Sequence, residues 1–88
     1  MNAFEDLLTS MPEKNTYQLL HILYAARTGF HALMTAAEET EGPKNLMERM
    51  IANDAHPLVL LRKVDRCIDI VRRVRVEKAL YGVKEEAQ

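Results

Sequence analysis

Apolar positions along the chain recur every three or four residues rather than every second one, a spacing that predicts helices throughout. Phe4, Leu7 and Leu8 mark the apolar side of a short first helix. Asn2 and Glu5 stand at capping-box spacing before it, where each side chain satisfies a backbone N–H that the helix start leaves free. Ser10 and Glu13 repeat that spacing with Pro12 in the first turn, so a second helix is expected to begin near Met11, with Asn15 or Thr16 as a later start. From there to Thr40, Leu19, Leu23, Ala26, Phe30, Leu33 and Ala37 advance by alternating steps of four and three and mark one face of a long helix. Gly42-Pro43 is expected to end it, glycine supplying a left-handed cap and proline refusing to continue. A short third helix then carries Leu46, Met47, Met50 and Ile51, and Asn53 to Pro57 forms the next break. The last helix is expected over Pro57 to Tyr81, with Leu60, Leu61, Val64, Cys67, Ile68, Val71 and Val74 as its buried stripe and Gly82 as its stop. Its β-branched residues suit a strand, but Arg and Asp interrupt every two-residue alternation.

The expected fold is therefore all-α: an antiparallel helical hairpin of two long helices with two short accessory helices, one domain over 1–82 and a frayed tail over 83–88. Each long helix of roughly 25 residues spans about 38 Å. Such a hairpin has much surface for its volume, and a chain of this length is expected to be stable by roughly 4–13 kcal/mol. Oligomerisation is expected to complete it. Ala25, Gly29, Ala32 and Ala36 recur at steps of four, three and four beside the main apolar stripe and are the candidate oligomer interface. A mid-helix glycine costs about 1 kcal/mol relative to alanine, so Gly29 points to a close backbone approach. Contact with the first or third helix of the same chain, or a kink at Thr28-Gly29, would explain the same residues.

Composition excludes several classes. Hydrophobic residues make up 48% and charged residues 28% of the chain, with three Gly and three Pro, which argues against disorder and against a loop-rich fold. A lone cysteine, Cys67, forms no internal disulfide and suits a reducing compartment, so the cytoplasm is the expected location. The first residues are acidic, without the basic-then-apolar layout of a signal peptide. The longest apolar run, Leu58 to Leu61, is too short for a bilayer, so no membrane association is expected.

A formal net charge of −1 hides a polarised distribution. Residues 1–56 carry −4 and residues 57–78 carry +4, so the last helix is basic and the remainder acidic. Arg62, Arg66 and Arg73 fall within about 40° of one another on a helical wheel and form the candidate contact face for a protein partner, or for a nucleic acid or phosphorylated ligand. Asp69 and Glu77 stand three or four residues from these arginines, which also predicts intrahelical ion pairs. On the second helix Tyr17, Tyr24, His31 and Glu38 follow at seven-residue intervals, and Tyr24, Arg27 and His31 are the candidate contact edge there.

Catalytic and metal chemistry find no purchase. His21, His31 and His56 lack ligand spacing, so no metal is expected. Glu38, Glu39 and Glu41 read as a solvated helix end, and Cys67 as a small core hydrophobe without a histidine on its helix. The methionines read as core filler or as an adaptable patch on the third helix. No cofactor and no enzymatic activity are expected. Size, hairpin architecture and the lack of reactive groups resemble small bacterial or phage regulators that act by occluding a larger protein. The resemblance implies a non-enzymatic regulator, adaptor or inhibitor with a protein partner.

Overall fold

A computed structural model describes residues 3–81, which form four α-helices: α1 (Ala3–Ser10), α2 (Glu13–Glu39), α3 (Glu41–Ala52) and α4 (Pro57–Tyr81). No strand occurs among the described residues. Asn2 of the expected first cap, the stop at Gly82 and the tail over 83–88 lie outside them. The fold is all-α, and α4 has the bounds its periodicity predicts.

Two junctions differ from the sequence reading. Ser10 does not cap α2; its hydroxyl donates to the Leu7 carbonyl at 3.1 Å and closes α1. The helix starts at Glu13 with Pro12 in the cap position, where the Pro12 carbonyl accepts from the amides of Asn15 and Thr16 at 2.9 and 3.1 Å. The break between α2 and α3 falls at Thr40, not at Gly42-Pro43. Thr40 is extended, with φ −134° and ψ 149°, and both its amide and its hydroxyl bond to the Ala36 carbonyl. Gly42 and Pro43 belong to the first turn of α3, where proline's missing N–H has no helical acceptor to lose, and neither described glycine has a positive φ.

α3 ends in a Schellman motif built without glycine. The Ala55 amide donates to the Met50 carbonyl at 2.7 Å and the Asp54 amide to the Ile51 carbonyl at 3.1 Å, with Asp54 in the left-handed region at φ 57°. Aspartate tolerates that conformation better than most residues. His56 then caps α4, its Nδ1 accepting the Leu58 amide at 3.1 Å immediately before Pro57 opens the helix.

α2 packs most extensively on α4 and next on α3, while α1 packs on α4. Cross-helix partners of α2 and α4 run in opposite senses: Glu13 meets Arg75, and Arg27 meets Asp65. The buried cluster, Leu8, Leu20, Ile68, Val71 and Val74, draws on α1, the first half of α2 and α4, with Phe4, Leu19, Leu23, Val64 and Ile70 packed around it. Cys67, placed in the buried stripe by periodicity, is half-buried. In α2 the buried side chains are Thr16, Leu20 and Ala37, so only Ala37 of the expected stripe is among them. The reason is that α2 has two neighbours on different flanks, and Leu20 lies about 100° round the helix from Leu19. α3 buries no residue completely.

Leu8 is wholly enclosed, whereas its neighbour Leu7 is 54% exposed. Leu8→Ala is expected to lower unfolding stability by about 2–5 kcal/mol, a large share of the total for a chain this size. Leu7→Ala is expected to cost under about 1 kcal/mol. Urea titrations followed by circular dichroism measure both.

Candidate functional site

The cations of α4 divide into two groups by what they touch. Toward its C-terminal end they hold the bundle together. Arg73 pairs with Glu5 of α1, and Arg75 Nη2 meets Glu13 Oε1 of α2 at 2.9 Å. The Arg75 guanidinium also lies 5.2 Å from the centroid of the Tyr17 ring, whose negative face offsets the burial of an Arg75 Nε that has no hydrogen-bond partner. Lys78 donates to the Met11 carbonyl at 2.6 Å and the Leu8 carbonyl at 3.4 Å. It thus supplies positive charge at the C-terminus of α1, a helix with no basic residue in its own last turn.

For the other cations of α4 the picture reverses. Arg62, Lys63 and Arg66 in its N-terminal half, and Arg72 next to Arg73, are exposed, and among the described residues none of them has an ion-pair partner. Asp65, which lies between Arg62 and Arg66 in sequence, is taken by Arg27 of α2 at 3.1 Å. The expectation that Asp69 and Glu77 neutralise this face within the helix is therefore corrected. All three ion pairs seen join different helices, because each interhelical carboxylate stands beside a cation that packing has already placed. Arg73, expected on the contact face, is engaged with Glu5, and Arg27, expected on the contact edge, is engaged with Asp65. Arg62 and Arg66 remain as an unpaired guanidinium pair one helical turn apart, suited to planar carboxylates or phosphates.

On α2, Tyr24 joins Tyr17, Leu20 and His21 in lining an open groove of about 150 Å³. The Tyr17 and His21 rings meet edge to face, with centroids 4.6 Å apart. His31 is exposed two turns further along. The helix runs unbroken through Thr28-Gly29. Ala25, Gly29 and Ala32 are exposed and Ala36 is half-buried, and a Cβ built on Gly29 would meet nothing within 4 Å. Among the described residues no other helix comes within 4 Å of that Cβ position.

Lys78 and His56 were not singled out as bonding residues from the sequence, and Glu13, read there as half of a capping box with Ser10, pairs instead with Arg75. A histidine directly before a proline at a helix start is a legible capping signal. Nothing in the sequence shows that Lys78 reaches carbonyls some 70 residues earlier. Among the described residues no group of His, Cys, Asp or Glu side chains is arranged to hold a metal ion, and no helix is long and apolar enough to cross a membrane. Comparison with family models, with curated proteins and with solved structures finds no match to this chain.

The two groups of cations predict opposite mutational behaviour. Lys78→Met should lower thermal unfolding stability by about 1–2 kcal/mol, because it strips a charged donor from two carbonyls. Arg72→Met, on the exposed side, should change it by less than about 0.5 kcal/mol. Equal effects in calorimetry would contradict the division.

Proposed function

We propose that this chain is a non-enzymatic, protein-binding helical regulator that occludes the surface of a larger protein in the cytoplasm through the first half of α4, as a hairpin of α2 and α4 completed by self-association. The observation that supports the contact surface is the contrast within α4. Arg73, Arg75 and Lys78 are bonded to α1 or α2, whereas Arg62 and Arg66 are exposed without a carboxylate partner. Like charges at that spacing cost a helix a few tenths of a kcal/mol, which an acidic partner surface relieves while gaining bidentate hydrogen bonds. Arg27 supports this surface indirectly, since its bond to Asp65 holds α2 against the same turn of α4. Tyr24 and His31 extend the exposed edge of α2 and are its proposed contacts.

Self-association is supported by shape. The chain measures 55 × 21 × 15 Å, an elongated shape with much surface for its volume. Although α3 touches both α2 and α4, it is left without any fully buried residue. The proposed interface is Ala25, Gly29, Ala32 and Ala36, which no helix of the same chain covers at Gly29.

Arg62 and Arg66 would serve equally well for phosphate groups, and salt dependence separates that reading from a protein partner. The double variant Arg62→Glu, Arg66→Glu is expected to keep its helix content and melting behaviour, because both side chains are exposed, and to lose affinity for a cross-linked native partner by at least about tenfold. Undiminished partner recovery by the double variant would refute the assignment of this surface. Binding to a nucleotide or DNA panel that falls steeply with rising salt would replace the protein partner with a phosphate ligand.

A further inference from the structure

We propose that two copies of this chain pack α2 against α2 in parallel, Ile22 of each copy covering the groove formed by Tyr17, His21 and Tyr24 of the other. This rests on the self-association reading above, adds its register and direction, and gives Tyr24 to the second copy, leaving His31 as the contact of α2 with the larger protein. Ile22 is the most exposed large aliphatic side chain of α2, at 65%, and the groove is the concave apolar feature at the same height on that helix. A volume of about 150 Å³ accommodates a branched aliphatic side chain.

Direction follows from symmetry. Ile22 lies on one flank of the outward face of α2 and the groove on the other, with Gln18 and Ala25 between them on the helical wheel. A twofold axis perpendicular to two packed helices brings like flanks together, knob against knob. A twofold axis parallel to them brings opposite flanks together at equal height, knob against groove. A side chain on a helix also leans toward the N-terminus, which carries Ile22 toward the level of residues 20 and 21.

Parallel packing sets every residue of the seam against its own copy, so the seam must be free of charge. The outward face of α2 meets that condition. From Asn15 to Ala37 the only Asp, Glu, Lys or Arg is Arg27, which points to Asp65 of α4. Above Ile22 the seam continues through Ala25, Gly29, Ala32 and Ala36, at the alternating three and four spacing of a two-stranded coil, and small side chains there let the helices approach closely. The exposed Ile22, the apolar groove at the same height and the absence of charge between them make this face complementary to itself, which points to a second copy as occupant.

Sedimentation equilibrium of the full chain should show a dimer at micromolar concentration. Ile22→Glu should weaken it by at least about tenfold without loss of helix content, because the side chain is exposed in the single chain. In a Cys67→Ala background, Gly29→Cys should form an intermolecular disulfide readily, since a parallel seam places residue 29 opposite itself within bonding range. A dimer that is indifferent to Ile22→Glu, or that fails to cross-link through position 29, overturns this arrangement and leaves self-association standing. Dissociation caused only by Arg62→Glu and Arg66→Glu would move the interface to α4 and overturn it as well. A monomer at every concentration overturns both this arrangement and the self-association reading, but leaves partner binding by α4 untouched.

Discussion

The fold depends on how the C-terminal half of α4 grips α1. α1 is eight residues long, too short to be stable as an isolated helix in water. It persists because Leu8 is enclosed in the cluster with Val71 and Val74, Glu5 is paired with Arg73, and Lys78 donates to the carbonyls of Leu8 and Met11. The same stretch of α4 reaches the start of α2 through Arg75 and Glu13. One turn and a half of a basic helix thus satisfies the open C-terminus of α1 and anchors the entry into α2.

The largest buried cluster sits at that end, while Pro57, Leu61 and Ala37 are buried at the other. The far half of α2 is packed by α3, which buries nothing completely, and the outward side of α2 is uncovered along the small residues. Charge divides by face: Arg27 of α2 is bonded to Asp65 while Arg62 and Arg66 on either side of it in sequence stand in solvent, and Glu38, Glu39 and Glu41 crowd the end of α2, which has no basic residue in its last turn.

Legibility in the sequence varied with the range of the interaction involved. The bounds of α4 could be read from its own stripe, and the break at Asn53 to Pro57 from its turn residues, because both are local. The stop at Gly42-Pro43 misled because a Gly-Pro pair suits a helix end and a helix start alike, and only the extended Thr40 distinguishes them. Ser10 misled similarly, since its hydroxyl found the Leu7 carbonyl of α1 before it could serve α2. For the candidate site, Arg62 and Arg66 were recognisable as exposed cations, whereas the commitment of Arg73 to Glu5 and of Arg27 to Asp65 was not.

The sequence by itself determined that the chain is helical, that two of its helices are long and that its positive charge sits on the last one, because periodicity and composition act within a few residues of each position. Tertiary structure alone decided which of those charges are used internally, which flank of α2 is buried and that, among the described residues, no other helix lies against Gly29. Those outcomes depend on residues some 40 to 70 positions apart meeting across helices, and no local pattern encodes the side on which one helix receives another.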